Sequence, residues 1–151
     1  MAQGLKQLLL AAALILAACS GETPVDMKDP ASVTRRFVNA YNARDLARML
    51  PLVDQVNLDA VKDALADGPG SDAYNSIFQP QMVDLLARDG GKIEGPRFER
   101  KDAIFKVGNA VDGDVYTIEL GEREDGDWLI DAFNMMSEQE FLGLPEKPKG
   151  K

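Results

Sequence analysis

The sequence predicts an α+β fold, with N-terminal helices packed on one face of a C-terminal antiparallel sheet of three to four strands. Two observations carry this. Before Gly91 the apolar residues recur at three- and four-residue steps, and after it the period drops to two. Asp-Gly pairs at Asp112-Gly113 and Asp125-Gly126 then separate the period-two runs, and glycine supplies the positive φ that tight hairpin turns need. The order is helices first and meander second, over residues 30–144 as one domain.

Asp29-Pro30 opens the first helix, with Asp29 as the cap and Pro30 at the first helical position. Val33, Phe37, Ala40 and Tyr41 form its apolar stripe through about Ala43, and Arg35, Arg36 and Asn39 fall off it. Asn42 and Asp45 bracket a break. Leu46, Met49 and Leu50 form a short second helix that Pro51 tends to end. Val56, Val61, Ala64 and Leu65 favour a helix from about Leu58 to Ala66, stopped by Asp67-Gly68-Pro69-Gly70. Pro80 can open another, with Met82, Val83, Leu85 and Leu86 apolar and Gly90-Gly91 as its stop.

The strands follow. Arg97–Glu99 and Ala103–Val107 have the alternation, and Val115–Leu120 and Trp128–Phe133 have it more strongly. Ser137-x-x-Glu140 has capping-box spacing and begins a last short helix through Leu144. Residues 145–151 (PEKPKGK) read as a solvated tail.

The first segment has the parts of an export signal. Lys6 and the amino terminus are positive, Leu8–Ala18 is an apolar run, and small residues precede the cleavage point at Ala18–Cys19. The run of 11 residues is too short for a bilayer span, which needs about 20. Leu16-Ala17-Ala18-Cys19 resembles the lipobox of bacterial lipoproteins. That resemblance implies cleavage after Ala18 of residues 1–18, a diacylglycerol thioether on Cys19, and acylation of the new amino group. An ordinary signal peptide or a buried apolar helix is the plainer alternative. Two or three acyl chains would hold the protein to the bilayer essentially permanently. Ser20 replaces the Asp that retains enteric lipoproteins in the inner membrane, so the resemblance places the chain at the outer membrane, facing the periplasm. Residues 19–29 read as the lipidated cysteine and a tether, because Ser, Gly, Thr, Pro and charge alternate there without period.

Composition excludes more chemistry than it indicates. Removing the first 18 of 151 residues leaves 133, enough for one domain. The whole chain carries a net charge of −8, which repels nucleic acid and anionic headgroups. It contains no histidine, so catalytic triads and imidazole acids or bases are absent. With the single cysteine assigned to lipid, disulfides, thiol nucleophiles and thiolate metal sites go too. No cofactor and no metal are expected. Asp112-Gly113-Asp114 and Glu122–Asp127 offer oxygen ligands for calcium, yet neither has the spacing of a twelve-residue EF-hand loop. Both read as hairpin tips.

Val33–Tyr41, Ala43-Arg44-Asp45-Leu46 and Gly126–Ile130 together resemble the nuclear transport factor 2-like superfamily, the cystatin-like cone fold, over roughly residues 30–134. The usual early hairpin after the second helix is not evident in residues 52–66, so a shortened or helix-substituted variant is implied. The Gln-x-Val-x-Gly and Pro-Trp segments of cystatin inhibitors are absent, which argues against protease inhibition. Enzymes of the superfamily, isomerase-like and dehydratase-like, work inside the cone with buried Asp, Tyr or His. The resemblance therefore makes Tyr41, Tyr116 and Asp131 the catalytic candidates to test. The competing reading places both tyrosines in the core, with their hydroxyls reaching the surface, and Trp128 as an anchor of the last strand. The face on which Asp131 lies is left open by its alternation with Leu129 and Ile130.

Three functions remain. The first is a non-catalytic lipoprotein that binds an envelope protein or a small apolar ligand, in a pocket of Val33, Phe37, Tyr41, Phe105 and Ile118. The second is a cone-fold isomerase or dehydratase, which requires an Asp–Tyr pair within hydrogen-bond reach in a closed pocket. The third is a structural envelope protein with no cavity and one large exposed apolar patch. Arg35, Arg36, Arg44 and Arg48 would serve an anionic envelope component or, more plainly, a solvated helix face.

Overall fold

The computed structural model describes residues 23–78 and 92–148. The signal segment, Cys19 and the helix expected from Pro80 lie outside them. Helix α1 spans Pro30–Asn42, and both Asp29 carboxylate oxygens accept from the otherwise unpaired N–H groups of Ala31 and Ser32, at 3.0 and 3.2 Å. Arg44, in the left-handed region at φ 53°, turns the chain. Asp45 then caps α2, Leu46–Met49. Pro51 does not end the winding outright. It sits in a 3-10 turn, Leu50–Leu52, where its missing N–H is tolerated.

Helix α3, Gln55–Asp67, starts three residues before the expected Leu58, because Asp54 supplies a cap to Asn57 N–H at 2.9 Å. Gly68 ends it at φ 80°. Helix α4, Asp72–Ile77, has no counterpart in the periodicity and is capped by Ser71. Helices α1 to α4 precede the sheet.

Strands β1 (Ile93–Glu99), β2 (Asp102–Val111), β3 (Asp114–Glu122) and β4 (Trp128–Ser137) pair antiparallel in chain order. The Asp112-Gly113 hairpin has both central residues at positive φ, 54° and 88°, as a primed turn requires. Gly95 sits at a register irregularity of β1 with φ 128°, where a Cβ would lie 2.9 Å from the Ile104 carbonyl oxygen. On β4, Glu119 faces Ala132 and Leu120 faces Ile130, which leaves Asp131 as the extra residue of a bulge. The β1–β2 and β3–β4 turns lie at one end of the sheet and the Asp112-Gly113 tip at the other.

One sheet face carries Ala103, Phe105, Val107, Ile118, Leu120 and Ile130, which form the main core with Val33, Phe37, Ala40 and Tyr41 of α1 and with α2 to α4. The other face is covered differently. Helix α5, Glu138–Gly143, capped by Ser137 as the Ser-x-x-Glu spacing predicts, lays Phe141 against Ile104 and Val115. Beneath it Lys106, 7% exposed, pairs with Glu94 at 2.7 Å and Glu138 at 3.4 Å, and sits 5.8 Å over the Phe141 ring.

The described parts of two segments expected to be free are docked. In the region read as a tether, Val25 and Met27 pack on the core, and the Met27 carbonyl accepts from Trp128 N–H at 2.8 Å. Lys28 pairs with Asp127 at 2.7 Å, and the Arg36 guanidinium donates to the Thr23 carbonyl. In the tail, the Pro145 carbonyl accepts from Phe98 N–H at 2.7 Å and Glu146 pairs with Arg97 at 3.7 Å.

Candidate functional site

The amphipathic stripe of α1 does not fill all the space above β4. A cleft of about 250 Å³ opens between α1, α3, α4 and β4, lined by Phe37, Tyr41, Met49, Val61, Ile77 and Phe133 among others. Each element contributes for a local reason. Helix α1 brings Phe37 and Tyr41 one turn apart on its buried side. The Asp54 cap starts α3 early enough for Asn57 to line the wall, and Asn57 also bonds the Asp131 carbonyl at 2.7 Å. Val53 forms a single parallel bridge to Ile130, which brings the start of α3 against β4.

The wall is aromatic and closely coupled. The Phe133 ring lies 5.3 Å from Phe37 and 5.8 Å from Tyr41, and Tyr41 lies 5.0 Å from Phe78. These are tilted contacts of the kind that favour rings beyond simple burial. Tyr41 directs its hydroxyl to the Ile77 carbonyl at 2.7 Å. Exposed Ala60 and Ser76 lie at the mouth. Among the described residues the polar side chains of the lining besides Tyr41 are Asn57 and Ser76, and none of these lining side chains is charged at neutral pH.

The expected pocket residues divide. Phe37 and Tyr41 line the cleft, but Val33, Phe105 and Ile118 do not. All three are 1% exposed or less, consumed by packing between α1 and the middle of the sheet. Sequence reasoning missed Met49, Asn57, Ile77, Ile130 and Phe133, which come from four separate elements. Phe133 gave no usable signal: strict alternation puts it on the face opposite Ile130, and only the bulge at Asp131 brings the two onto one face.

The catalytic candidates are not brought together. The bulge turns Asp131 to the sheet face away from the cleft, where its carboxylate binds the Arg123 guanidinium. Tyr116 is half-buried on the cleft-facing side but outside the lining. The away-facing side also carries Asp102 and Glu119. Burial, followed by the charges of Asp131 and Glu99, raises the Asp102 pKa. Burial, followed by Asp102, raises that of Glu119, which accepts from Asn134 at 2.8 Å. Among the described residues no group of three or more acidic or thiol side chains has the geometry to hold a metal ion. Both hairpin runs proposed as alternatives for calcium form turns. Arg35 and Arg48 pair with Asp29 and Asp45, and Arg44 lies 6.0 Å over the Phe78 ring.

No helix among the described residues is long and apolar enough to cross a membrane. No family model, no curated protein and no solved structure matches this chain.

Proposed function

We propose that this chain is a bacterial lipoprotein, anchored through acylated Cys19 at the outer membrane and facing the periplasm. Its domain is a non-catalytic binding module, a helix-substituted relative of the nuclear transport factor 2-like cone. The cleft carries the binding reading. Its described wall is apolar and aromatic, with Asn57 in the wall and Ser76 at the mouth as polar points and no charged group among the described lining residues. An apolar cavity of 150 Å³ in another protein holds benzene, so about 250 Å³ suits a ligand of one or two rings, or one anchoring side chain of a partner. The isomerase or dehydratase alternative has less support, since Tyr41 spends its hydroxyl on a backbone carbonyl and Asp131 lies on the other face of the sheet.

The test is titration of an apolar fluorescent naphthalene probe into the protein and into Ala60→Trp. Ala60 is exposed at the mouth, so the larger side chain obstructs the cleft at little cost to folding. Binding that weakens by about tenfold or more, with the melting temperature unchanged, supports the reading. Equal binding by both proteins refutes it. Turnover of a small carbonyl substrate that falls about 10²-fold in Tyr41→Phe would instead restore the enzyme.

A further inference from the structure

We propose that the outer edge of β4, from Phe133 to Ser137, is the surface on which two copies of this chain meet, strand against strand, so that one sheet runs through both. The pairing requires neither the acyl anchor nor a ligand in the cleft. A sheet with its strands in chain order has two edges, β1 and β4, and an edge offers unpaired N–H and C=O groups to another strand. Strand β1 is closed to such pairing. Pro96 has no N–H to give, the register slips between Glu94 and Arg97, and the Pro145 carbonyl already takes the Phe98 N–H. Glu94, Arg97 and Glu99 add charge along the same edge. The first half of β4 is closed too: Trp128 N–H is held by Met27, the Ile130 carbonyl by Asp54, and the Asp131 carbonyl by Asn57. The second half of β4 carries none of these devices.

Two observations fix which main-chain groups of that half face outward. Trp128 and Ile130 already point theirs out, to Met27 and Asp54, and past the bulge the alternation resumes at Phe133. The hairpin gives the same parity. Asp114 closes the Asp112-Gly113 turn opposite Val111, so its main chain faces β2, and its β4 partner Ser137 must face away from β3. Phe133, Met135 and Ser137 therefore present the open edge. The Ser137 carbonyl serves α5, as a cap residue's does. Among the described residues the other outward groups, the N–H and C=O of Phe133 and Met135 and the N–H of Ser137, have no partner.

The side chains make this edge complementary to itself. With a two-fold axis at Met135, Met135 faces the partner's Met135 and Phe133 faces the partner's Ser137. The two Met135 residues then exchange both main-chain bonds, and each Ser137 N–H donates to the carbonyl of Phe133 across the axis. Met135, 60% exposed, lies on the same side of the sheet as Phe133, so the junction joins two exposed methionines into one apolar row. On the other side Asn134 meets Met136. No residue from Ala132 to Ser137 is charged, although the whole chain carries −8, so this strip brings no like charges together. The acids that flank it are already paired, Asp131 with Arg123 and Glu138 with Lys106. Helix α5 turns inward over Ile104 and Val115, away from the junction.

The full-length protein is sedimented with detergent micelles in excess, from about 5 to 500 µM, a range that brackets the affinity of a small interface. A monomer–dimer equilibrium should appear. Exchange of the Met135 and Ser137 amides should slow as the dimer fills, while that of Asn134, whose amide faces β3, stays unchanged. Met135→Pro removes an N–H that the monomer does not use, and Met135→Lys sets two like charges at the axis. Each should weaken dimerisation by about tenfold or more. Val111→Lys, at another exposed apolar site, should leave it unchanged. If Met135→Pro lowers the melting temperature, Met135→Lys decides, since it alters only an exposed side chain. A wild type that stays monomeric throughout, or a dimer that survives Met135→Lys, overturns the proposal. A monomeric wild type that binds an added extended peptide at Met135 gives the edge to a foreign strand and overturns it equally.

Discussion

The side-chain amide of Asn57 donates to the main-chain carbonyl of Asp131 at 2.7 Å, joining the first turn of α3 to the bulge of β4. The same amide donates to Asp54, the cap of α3, at 2.6 Å. One side chain therefore holds the helix start, the sheet edge and one wall of the cleft. Asn57→Ala should cost about 1–2 kcal/mol, the scale for a hydrogen bond whose part-buried acceptor loses its partner. Urea melts measure the cost, and hydrogen exchange should quicken in the first turn of α3 before the strands respond.

Lys106 offers a test of how α5 is held. Burial in an ion pair is costly, and its partners Glu94 and Glu138 remain 43% and 40% exposed. Lys106→Met keeps the aliphatic contact with Phe141 and lets both acids return to water, so stability should change by less than about 1 kcal/mol. Lys106→Ala also removes the packing and should cost about 2–3 kcal/mol. Equal losses in the two variants, read by thermal melts, would show that the charge and not the stem holds the helix.

The away-facing acids set a pH dependence. Asp102 and Glu119 have folded-state pKa values raised above the ordinary carboxylate range, by burial first and by neighbouring carboxylates second. Their protonation is therefore linked to folding: the stability they contribute is full below their unfolded pKa values, near 4, and is lost as pH rises through the folded ones. Glu94 has the opposite sign. Lys106 lowers its pKa, so its contribution is lost as pH falls below about 4.5 and through the depressed value. Glu119→Gln keeps an acceptor for Asn134 and removes the charge. It should stabilise by about 0.5 kcal/mol at pH 7, discounted for partial exposure, and by nearly nothing at pH 4. Melts at the two pH values decide it; the same gain at both would rule out a charge effect.

Cys19→Ser should yield a protein without acyl mass that leaves the membrane fraction. Intact-mass measurement and fractionation check both halves. Wild-type protein recovered soluble at its unmodified mass would end the anchor reading.

Much of the fold was legible because particular residues had one physical use. Asp29-Pro30 could only start a helix well, and Asp112-Gly113 suited a turn with two positive φ values. Helix α4 escaped because six residues give under two turns, too few for a period to show. Helix α3 began early because its local cap, Asp54, outweighed Val56, an apolar residue that is 79% exposed and misleads the apolar pattern. The cleft was half legible. Phe37 and Tyr41 follow from the α1 stripe, but which part of that stripe meets a filled core and which a void depends on where α3 and α4 sit. A bulge decided Asp131, and strict alternation cannot register an extra residue.

The strands pair with their immediate neighbours in the chain, so the sheet closes only short loops and can assemble from local contacts. The distant closures gather at the start of β4, where Trp128 meets Met27 and Ile130 meets Val53 and Asp54. The last strand to be synthesised thus supplies the seat for the first described residues. A chain cut before Trp128 would lose the partner of the Met27 carbonyl, and full synthesis supplies it. How firmly Met27 is held is set at the opposite end of the domain, by whether its final hairpin has formed.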